Sequence, residues 1–167
     1  MVNLYNSVYN CGNDRINAWV KDSYFAKLTQ QAITFRIIID NIIVGYFMLV
    51  LNTIVLEEFK PDIHNFFTDT IGNTIPCLEL KYIAIDKRYQ RNKYGSLLLK
   101  YIIKIADDIS RRCPIRALIL FSTPDNVKWY SEFSFQMRSG ESEFETFMYI
   151  DLLHNREEIE KYIEGLV

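Results

Sequence analysis

The segment from residue 75 to residue 122 constrains the fold more than any other part of this 167-residue chain. IPCLELKYIAID at 75–86 predicts a strand, and YGSLLLKYIIKIADDISRR at 94–112 predicts a helix with Leu97, Leu98, Tyr101, Ile102 and Ile105 on its apolar face. RALILFS at 116–122 predicts a second, buried strand. Because a strand–helix–strand unit normally makes its two strands parallel, with a right-handed crossover, we expect a parallel pair here.

The flanking sequence predicts antiparallel strands and further helices. NDRINAWVKDSYFAKL at 13–28 has helical spacing and a cap at Asn13 or Asp14. TFRIIID and IIVGYFMLVLNTIVLEE form a hairpin through the turn at 40–41. A short helix is predicted for DNVKWYSEF at 125–133. A hairpin is predicted for FQMRS and FETFMYIDL, joined through GESE, and a last helix for NREEIEKYIEGL. We therefore predict a mixed sheet in a single domain over 1–167.

The segment 58–75 mixes Pro, Asp, Asn, Gly and Thr and predicts a loop, with one helical turn around Phe66 and Phe67 as an option.

Composition excludes several classes of protein. The chain is 49% hydrophobic and 24% charged, which is typical of neither a disordered nor a membrane protein. Its most apolar run, 42–51, is too short to span a bilayer, and no signal peptide is visible. Three widely spaced cysteines without CxxC favour a reducing cytoplasm, and two histidines away from other ligands predict no metal site.

Charge is distributed unevenly along the chain. The segment 81–116 contains ten basic and three acidic residues, whereas the segment 141–167 contains eight acidic and two basic residues. The basic middle could attract an anion, and a solvated helix face is the simpler explanation for part of it.

The turn at 88–96 has the chemistry of an anion site. The first turn of a helix leaves its backbone N–H groups unpaired, and the macrodipole adds positive potential, which suits a phosphate. Gly95 would allow close approach to the backbone, and Arg91 and Lys93 would add charge-assisted contacts. A plain turn is the alternative interpretation.

RYQRNKYGSLLLKYI at 88–102 resembles the acyl-CoA-binding motif of the GCN5-related N-acetyltransferase (GNAT) superfamily, Gln/Arg-x-x-Gly-x-Gly/Ala. Gln90 matches its first position and Gly95 its last, while Lys93 replaces the middle glycine. The upstream LKYIAID resembles the family's fourth strand, whose backbone pairs with the pantetheine arm.

Downstream, NVKWYSEFSF resembles the family's Asn-x-x-Ala-x-x-Tyr-x-x-x-Gly-Phe segment, one residue shorter. Asn126, Tyr130 and Phe135 match it, and Ser134 replaces the glycine. The resemblance implies an α/β GNAT fold: a mixed twisted sheet with helices on both faces and a splayed parallel strand pair that binds acyl-CoA. It implies that acetyl-CoA is the co-substrate. The residues that it predicts to bind acetyl-CoA are Ile83, Ala84, Ile85, Gln90, Arg91, Asn92, Lys93, Tyr94, Gly95, Ser96 and Asn126.

The resemblance also implies roles in catalysis. No covalent enzyme intermediate forms in this family, and the protein chiefly aligns the reactants. A backbone N–H near Ala84 or Ile85 would polarise the thioester carbonyl, and Tyr130 would be the general acid for the sulfur. Glu79, five residues before Ala84, has the spacing of the base glutamate in histone-type members. The alternatives are a buried tyrosine with a satisfied hydroxyl, and a solvent-facing or ion-paired glutamate.

The start of the chain is similar to that of acetyltransferase toxins that modify aminoacyl-tRNA. The positions that match their pattern are Cys11, Gly12, Trp19, Gly45 and Tyr46. Such toxins usually lack a carboxylate at the position of Glu79. Three functions stay open: an N-acetyltransferase with an unassigned primary amine acceptor, a toxin acetylating aminoacyl-tRNA, and a non-catalytic acyl-CoA-binding module. The acceptor could be a small molecule, a peptide or an aminoacyl-tRNA, and an antitoxin and a homodimer are open as partners.

Overall fold

The computed structural model describes residues 9–56, 67, 70–137 and 144–164, except for the side chains of 22–26 and 28. Its elements in chain order are α1 Asp14–Leu28, β1 Ile33–Ile39, β2 Ile42–Val55, β3 Thr74–Ile85, a 3₁₀ turn Lys87–Tyr89, α2 Tyr94–Ser110, β4 Ala117–Ser122, α3 Pro124–Ser131, β5 Gln136–Met137, β6 Thr146–Asp151 and α4 Arg156–Ile163. The predicted turn at 140–143 lies outside the described residues. Of the optional helical turn around Phe66 and Phe67, only Phe67 is described, and it is not helical.

Within the described part of the chain, six strands form one mixed sheet in the order β1-β2-β3-β4-β6-β5. β3 and β4 are its parallel pair, as the strand–helix–strand pattern predicts. β1 pairs antiparallel with β2, and β6 pairs antiparallel with both β4 and β5. The predicted mixed α/β fold class is therefore confirmed.

The residues group into two compact units: 1–50 with 80–99, and 51–79 with 100–167. The boundaries fall inside β2, β3 and α2 rather than at a linker. The single domain over 1–167 stays a prediction.

The first unit contains α1 and the β1–β2 hairpin. Asn13 caps α1, since its Oδ1 accepts from the N–H of Ile16 at 3.1 Å. The hairpin turns at Asp40 and Asn41, with φ of 49° and 63°, as the favoured two-residue hairpin turn requires. Its core joins α1 to the sheet through Val20, Ile43, Tyr46 and Tyr82, with Tyr9, Ile16, Trp19 and Met48 packed against them.

The second unit contains β4, β6 and the helices α3 and α4. Its core is formed by Ile54, Leu56, Phe67, Ile75, Cys77, Ala117, Ile119, Phe147 and Tyr149. At its edge the guanidinium of Arg116 donates twice to the Asp151 carboxylate, at 2.8 Å each. Burial alone would raise the pKa of Asp151, but these hydrogen bonds outweigh it and the pKa is lowered.

The apolar face predicted for α2 is partly wrong. Leu97 and Tyr101 are 53% and 50% exposed, and the fully buried positions are Leu99, Ile102, Ile103 and Ala106. The buried stripe is therefore turned by about one residue from the predicted one. Among the described residues, no helix is long and apolar enough to cross a membrane.

Candidate active site

Asp86 closes β3 and organises the start of the turn that follows. Its carboxylate is 1% exposed and accepts from Arg88 N–H at 3.0 Å, Arg88 Nε at 2.9 Å and the N–H of Asn10 at 3.2 Å. Burial would raise the pKa of Asp86, but the hydrogen bonds from Arg88 and Asn10 outweigh it and lower the pKa. Asp86 therefore stays ionised and holds the 3₁₀ turn Lys87–Tyr89 at the end of the strand.

The turn between Gln90 and Lys93 has an unusual backbone. Arg91 and Lys93 both have φ of 63°, in the left-handed region that favours glycine. Lys93 stands where the resembled motif has its middle glycine, and it adopts this glycine-favouring conformation. The Nδ2 of Asn92 folds back and donates to the carbonyl of Gln90 at 3.1 Å.

The helix α2 opens directly from this turn. Its first i→i−4 hydrogen bond runs from the N–H of Leu97 to the carbonyl of Lys93 at 3.0 Å, so Tyr94 and Gly95 precede the regular helical pairing. The side chains of Arg91, Asn92 and Lys93 are exposed around it. Gly95 does not share their positive φ, so its backbone conformation does not require a glycine.

β2 approaches the end of β3 closely. A Cβ built on Gly45 would lie 2.6 Å from the carbonyl oxygen of Ala84 and 2.8 Å from Cδ1 of both Ile37 and Ile85. The N–H of Asp86 donates to the carbonyl of Val44 at 2.8 Å. Glycine at 45 therefore sets the position of the Ala84 backbone, which the resemblance assigns to cofactor binding.

Tyr130 lies near the C-terminus of α3, in the second unit. It is 9% exposed, its ring packs edge-on against Phe135 at 5.6 Å, and burial raises the pKa of its phenol to about 12. The carbonyl of Tyr130 accepts from the N–H of Phe133 at 2.9 Å and so begins the turn after the helix. Its phenol is therefore neutral and able to donate a proton throughout the physiological range.

Ser134 ends that turn with φ of 62°, again in the left-handed region and again where the family has glycine. Its hydroxyl donates to Glu158 Oε2 at 2.9 Å and lies 2.7 Å from the hydroxyl of Tyr162, both on α4. These contacts attach the turn that follows Tyr130 to the last helix.

Glu79 is buried on β3, at 2% exposure, so the solvent-facing interpretation is wrong. Its Oε2 accepts from Asn52 Nδ2 at 2.8 Å, and the Oδ1 of Asn52 accepts from the N–H of Thr53 at 2.7 Å. The carboxylate raises the pKa of the neighbouring Cys77 thiol, although burial is the larger cause, and the result is about 12. Cys77 is thus no thiolate nucleophile at neutral pH.

The predicted site residues fall into two groups. Those from Ile83 to Ser96 belong to the first unit, whereas Glu79, Asn126 and Tyr130 belong to the second. Asn126 lies in the first turn of α3, where its Nδ2 donates to Thr123 Oγ1 at 3.1 Å.

Sequence reasoning missed Asp86 and Asn10 as parts of the turn. The acid at the end of the strand predicted over 75–86 was a usable signal for Asp86, because such a position can cap the next turn.

Comparison with known proteins agrees with this geometry. The model of the acetyltransferase (GNAT) family matches residues 2–135. The chain belongs to the acetyltransferase (GNAT) family. No curated protein matches it in sequence.

Solved structures similar to this GNAT chain include toxins. A tyrosine-to-phenylalanine mutant of KacT is 16% identical, with a TM-score of 0.77 over 93% of this chain and 89% of that one. AtaT complexed with acetyl-methionyl-tRNAfMet is 14% identical, with a TM-score of 0.76 over 89% and 88%. A tyrosine-to-phenylalanine mutant of AtaT, bound to the C-terminus of its antitoxin AtaR and acetyl-CoA, is 16% identical, with a TM-score of 0.69 over 92% and 86%. At this identity the likeness shows the fold.

Proposed function

We propose that this GNAT acetyltransferase moves an acetyl group from acetyl-CoA directly to a primary amine. The observation that carries the proposal is the turn at 90–95, which keeps a left-handed backbone at Lys93 and opens at once into α2. A strand, a left-handed turn and a helix start present successive backbone N–H groups to one anion, as a diphosphate requires.

The residues present fit coenzyme A. Arg91 and Lys93 are exposed beside the helix start and supply positive charge, and Gly95 leaves its backbone open to close approach. The backbone of Ile83, Ala84 and Ile85 would pair with the pantetheine arm, and the turn from Gln90 to Ser96 would complete the cofactor site. Asn126 stays a predicted cofactor-binding residue. When bound, acetyl-CoA supplies an activated thioester.

Tyr130 would give its proton to the departing sulfur. Burial holds the phenol neutral, with the pKa raised to about 12, so its protonated form is available at any physiological pH. Two of the similar structures, one of KacT and one of AtaT, carry tyrosine-to-phenylalanine mutations, which supports a functional tyrosine in proteins of this fold.

Glu79 would accept the proton of the incoming ammonium, directly or through a water. The hydrogen bond from Asn52 holds the buried carboxylate in a fixed position on β3. A purely structural role, in which Glu79 only ties β3 to Asn52, is the competing explanation.

A toxin that acetylates aminoacyl-tRNA is the second candidate. It is favoured by the similarity to KacT and AtaT structures, one of them in complex with acetyl-methionyl-tRNAfMet and one with an antitoxin and acetyl-CoA. An antitoxin and a charged tRNA would then be its partners, and the cytoplasm its compartment. Part of the basic segment is engaged elsewhere, because Arg111 pairs with Asp107 and Glu160 and Arg116 pairs with Asp151. A tRNA surface would therefore depend on the remaining basic residues or on a second copy of the chain.

A non-catalytic acyl-CoA-binding module is less well supported. Its basis was the loss of two family glycines, yet Lys93 and Ser134 both keep the left-handed conformation.

One assay separates the three functions. Purified protein is incubated with acetyl-CoA and a panel of amines, peptides and charged tRNAs, and free thiol is measured. Thiol release that depends on a small amine or peptide supports the first function, and release that depends on charged tRNA supports the toxin. A protein that binds acetyl-CoA but does not release thiol with any acceptor of the panel would contradict the proposed transferase activity and support the binding module.

A further inference from the structure

Residues Tyr9–Gly12, which we call the strap, lie along the segment that leads into the cofactor turn. The N–H of Asn10 donates to Asp86 Oδ2 at 3.2 Å, and the carbonyl of Asn10 accepts from the N–H of Lys87 at 2.9 Å. The Nε2 of Gln90 donates to the carbonyl of Cys11 at 2.9 Å. Three residues of the 86–90 segment, Asp86, Lys87 and Gln90, are thus bonded to a stretch of chain more than 70 residues earlier.

The strap has a defined shape of its own. Asn10 Oδ1 accepts from the N–H of Gly12 at 2.8 Å and from Asn17 Nδ2 at 3.0 Å. Asn17 Oδ1 in turn accepts from the N–H of Cys11 at 3.1 Å and from its thiol at 3.2 Å. Gly12 has φ of 90°, and a Cβ built there would lie 2.5 Å from Cε of Lys87. The strap is therefore fixed to α1 at one side and to the cofactor turn at the other.

Both donors of the Gln90 side-chain amide are used in this arrangement. Its two amide protons go to two carbonyls, that of Cys11 and that of Ile85, each at 2.9 Å. An amide bridging two carbonyls ties the end of β3 to the strap, immediately before the left-handed residues Arg91 and Lys93. The Gln90 side chain therefore acts on the turn through hydrogen bonds to protein backbone.

We propose that the strap holds the turn at 90–95 in the conformation that binds coenzyme A, and that Gln90 and Asp86 are positioning residues that attach the strap. This rests on the proposed binding of the cofactor at that turn. Two left-handed residues in a turn persist when the surrounding structure fixes them, and the strap supplies that fixation. Release of the strap would allow the turn to relax, which would weaken the affinity for coenzyme A and leave the binding of the acceptor unchanged.

The first test compares two variants of Gln90. Gln90→Met keeps the length of the side chain and removes both donors, whereas Gln90→Arg, the other residue the family motif allows, keeps donors that can reach both carbonyls. Coenzyme A affinity is measured by calorimetry. Because Gln90→Met loses two hydrogen bonds of ordinary strength, we expect its dissociation constant for coenzyme A to be about tenfold higher than that of the wild type. For Gln90→Arg we expect a value within about twofold of the wild type.

Cys11 reports the strap itself, independently of the ligand. In a Cys113→Ser background the remaining thiols are Cys11, on the strap, and Cys77, which is fully buried. The rate of labelling with a thiol reagent should rise several-fold in Gln90→Met and stay unchanged in Gln90→Arg. If coenzyme A binding weakens in Gln90→Met while Cys11 labelling does not change, Gln90 contacts the ligand directly and the positioning role is wrong.

The second test acts on the strap with a matched control. Gly12→Ala and Gly72→Ala place the same methyl group on backbones with φ of 90° and 85°, so their intrinsic strain is equal. Only Gly12 belongs to the strap, and a Cβ on Gly72 meets no atom within 4 Å. We expect Gly12→Ala alone to weaken coenzyme A binding. Equal losses in both variants would overturn the proposal. A wild type that does not bind coenzyme A would instead overturn the proposed function, while faster Cys11 labelling in Gln90→Met would still support the attachment of the strap.

Discussion

The turn at Lys93 and the turn at Ser134 each place a side chain where the family has glycine, and each keeps φ near 60°. They differ in what surrounds the side chain. Ser134 bonds to Glu158 and Tyr162 of α4, whereas Lys93 is exposed, with no hydrogen bond or ion pair to another side chain in the described residues. A left-handed conformation costs a non-glycine residue about 1–2 kcal/mol.

The difference indicates two ways of tolerating the same backbone strain. At Ser134 the new side chain makes bonds that offset the strain, so the turn after Tyr130 gains an attachment to the last helix. At Lys93 the side chain does not offset it, and the strain is tolerated at a turn whose backbone would bind the cofactor. The first turn would thus serve binding and the second the chemistry of Tyr130.

The largest expected effect tests this division of labour. Tyr130→Phe removes the proton donor and leaves the first unit unchanged, so turnover should fall by about 100-fold or more, the usual contribution of a general acid. The affinity for coenzyme A should stay close to that of the wild type. Steady-state thiol release and calorimetry measure the two quantities, and unchanged turnover would show that Tyr130 is not the acid.

The next effect concerns the attachment of Ser134. Ser134→Ala removes its hydrogen bonds but keeps the strained backbone, and should lower the free energy of unfolding by about 1–2 kcal/mol. Ser134→Gly removes the same bonds and relieves the strain, so it should be about 1 kcal/mol more stable than the alanine variant. Urea unfolding measures both. Equal stabilities of the two variants would mean that the left-handed backbone costs nothing at this position.

A smaller effect is expected at Lys93. Lys93→Gly should raise the free energy of unfolding by about 1 kcal/mol, because it relieves strain without losing a bond. The same variant should bind coenzyme A about threefold more weakly at low salt, through loss of an exposed charge, and this difference should shrink as salt is added. Lys93→Ala is the control for the charge, since it keeps the strain. A Lys93→Gly protein that is no more stable than the wild type would contradict the contrast with Ser134.

The smallest expected effect is an absence of pH dependence. Burial raises the pKa of Tyr130 to about 12, so the phenol keeps its proton through the range in which an exposed tyrosine, with a pKa of about 10, would lose it. The turnover number should therefore show no decline from this group below about pH 11. A falling limb near pH 10 that disappears in Tyr130→Phe would show that the phenol is exposed to water in the working enzyme.

Local sequence predicted most of the secondary structure. The hairpin at 40–41, the cap at Asn13 and the strand–helix–strand unit each depend on neighbouring residues, which is why their patterns sufficed. The buried face of α2 was misplaced because apolar residues occupy most of its surface, so spacing alone could not choose among the possible stripes. Packing selected Leu99, Ile103 and Ala106 instead of Leu97 and Tyr101.

The candidate site was only partly predictable. The segments around Gln90 and Tyr130 are short sequence motifs that comparison with a known family can find. The strap depends on hydrogen bonds between residues 76 and 79 positions apart, and the bonds of Ser134 reach residues 24 and 28 positions away. Such contacts leave no periodic trace in one sequence, so only the folded chain reveals them.

The central claim is that backbone amides of the turn between Gln90 and Ser96 bind the diphosphate of coenzyme A. Titrating isotope-labelled protein with coenzyme A, and following the backbone amide resonances by NMR, tests it directly. Our account predicts saturable shifts of the amides from Arg91 to Ser96, with the amides of β5 at Gln136 and Met137 unaffected. Saturable binding that leaves the Arg91–Ser96 amides unmoved, or no binding at all, would contradict it.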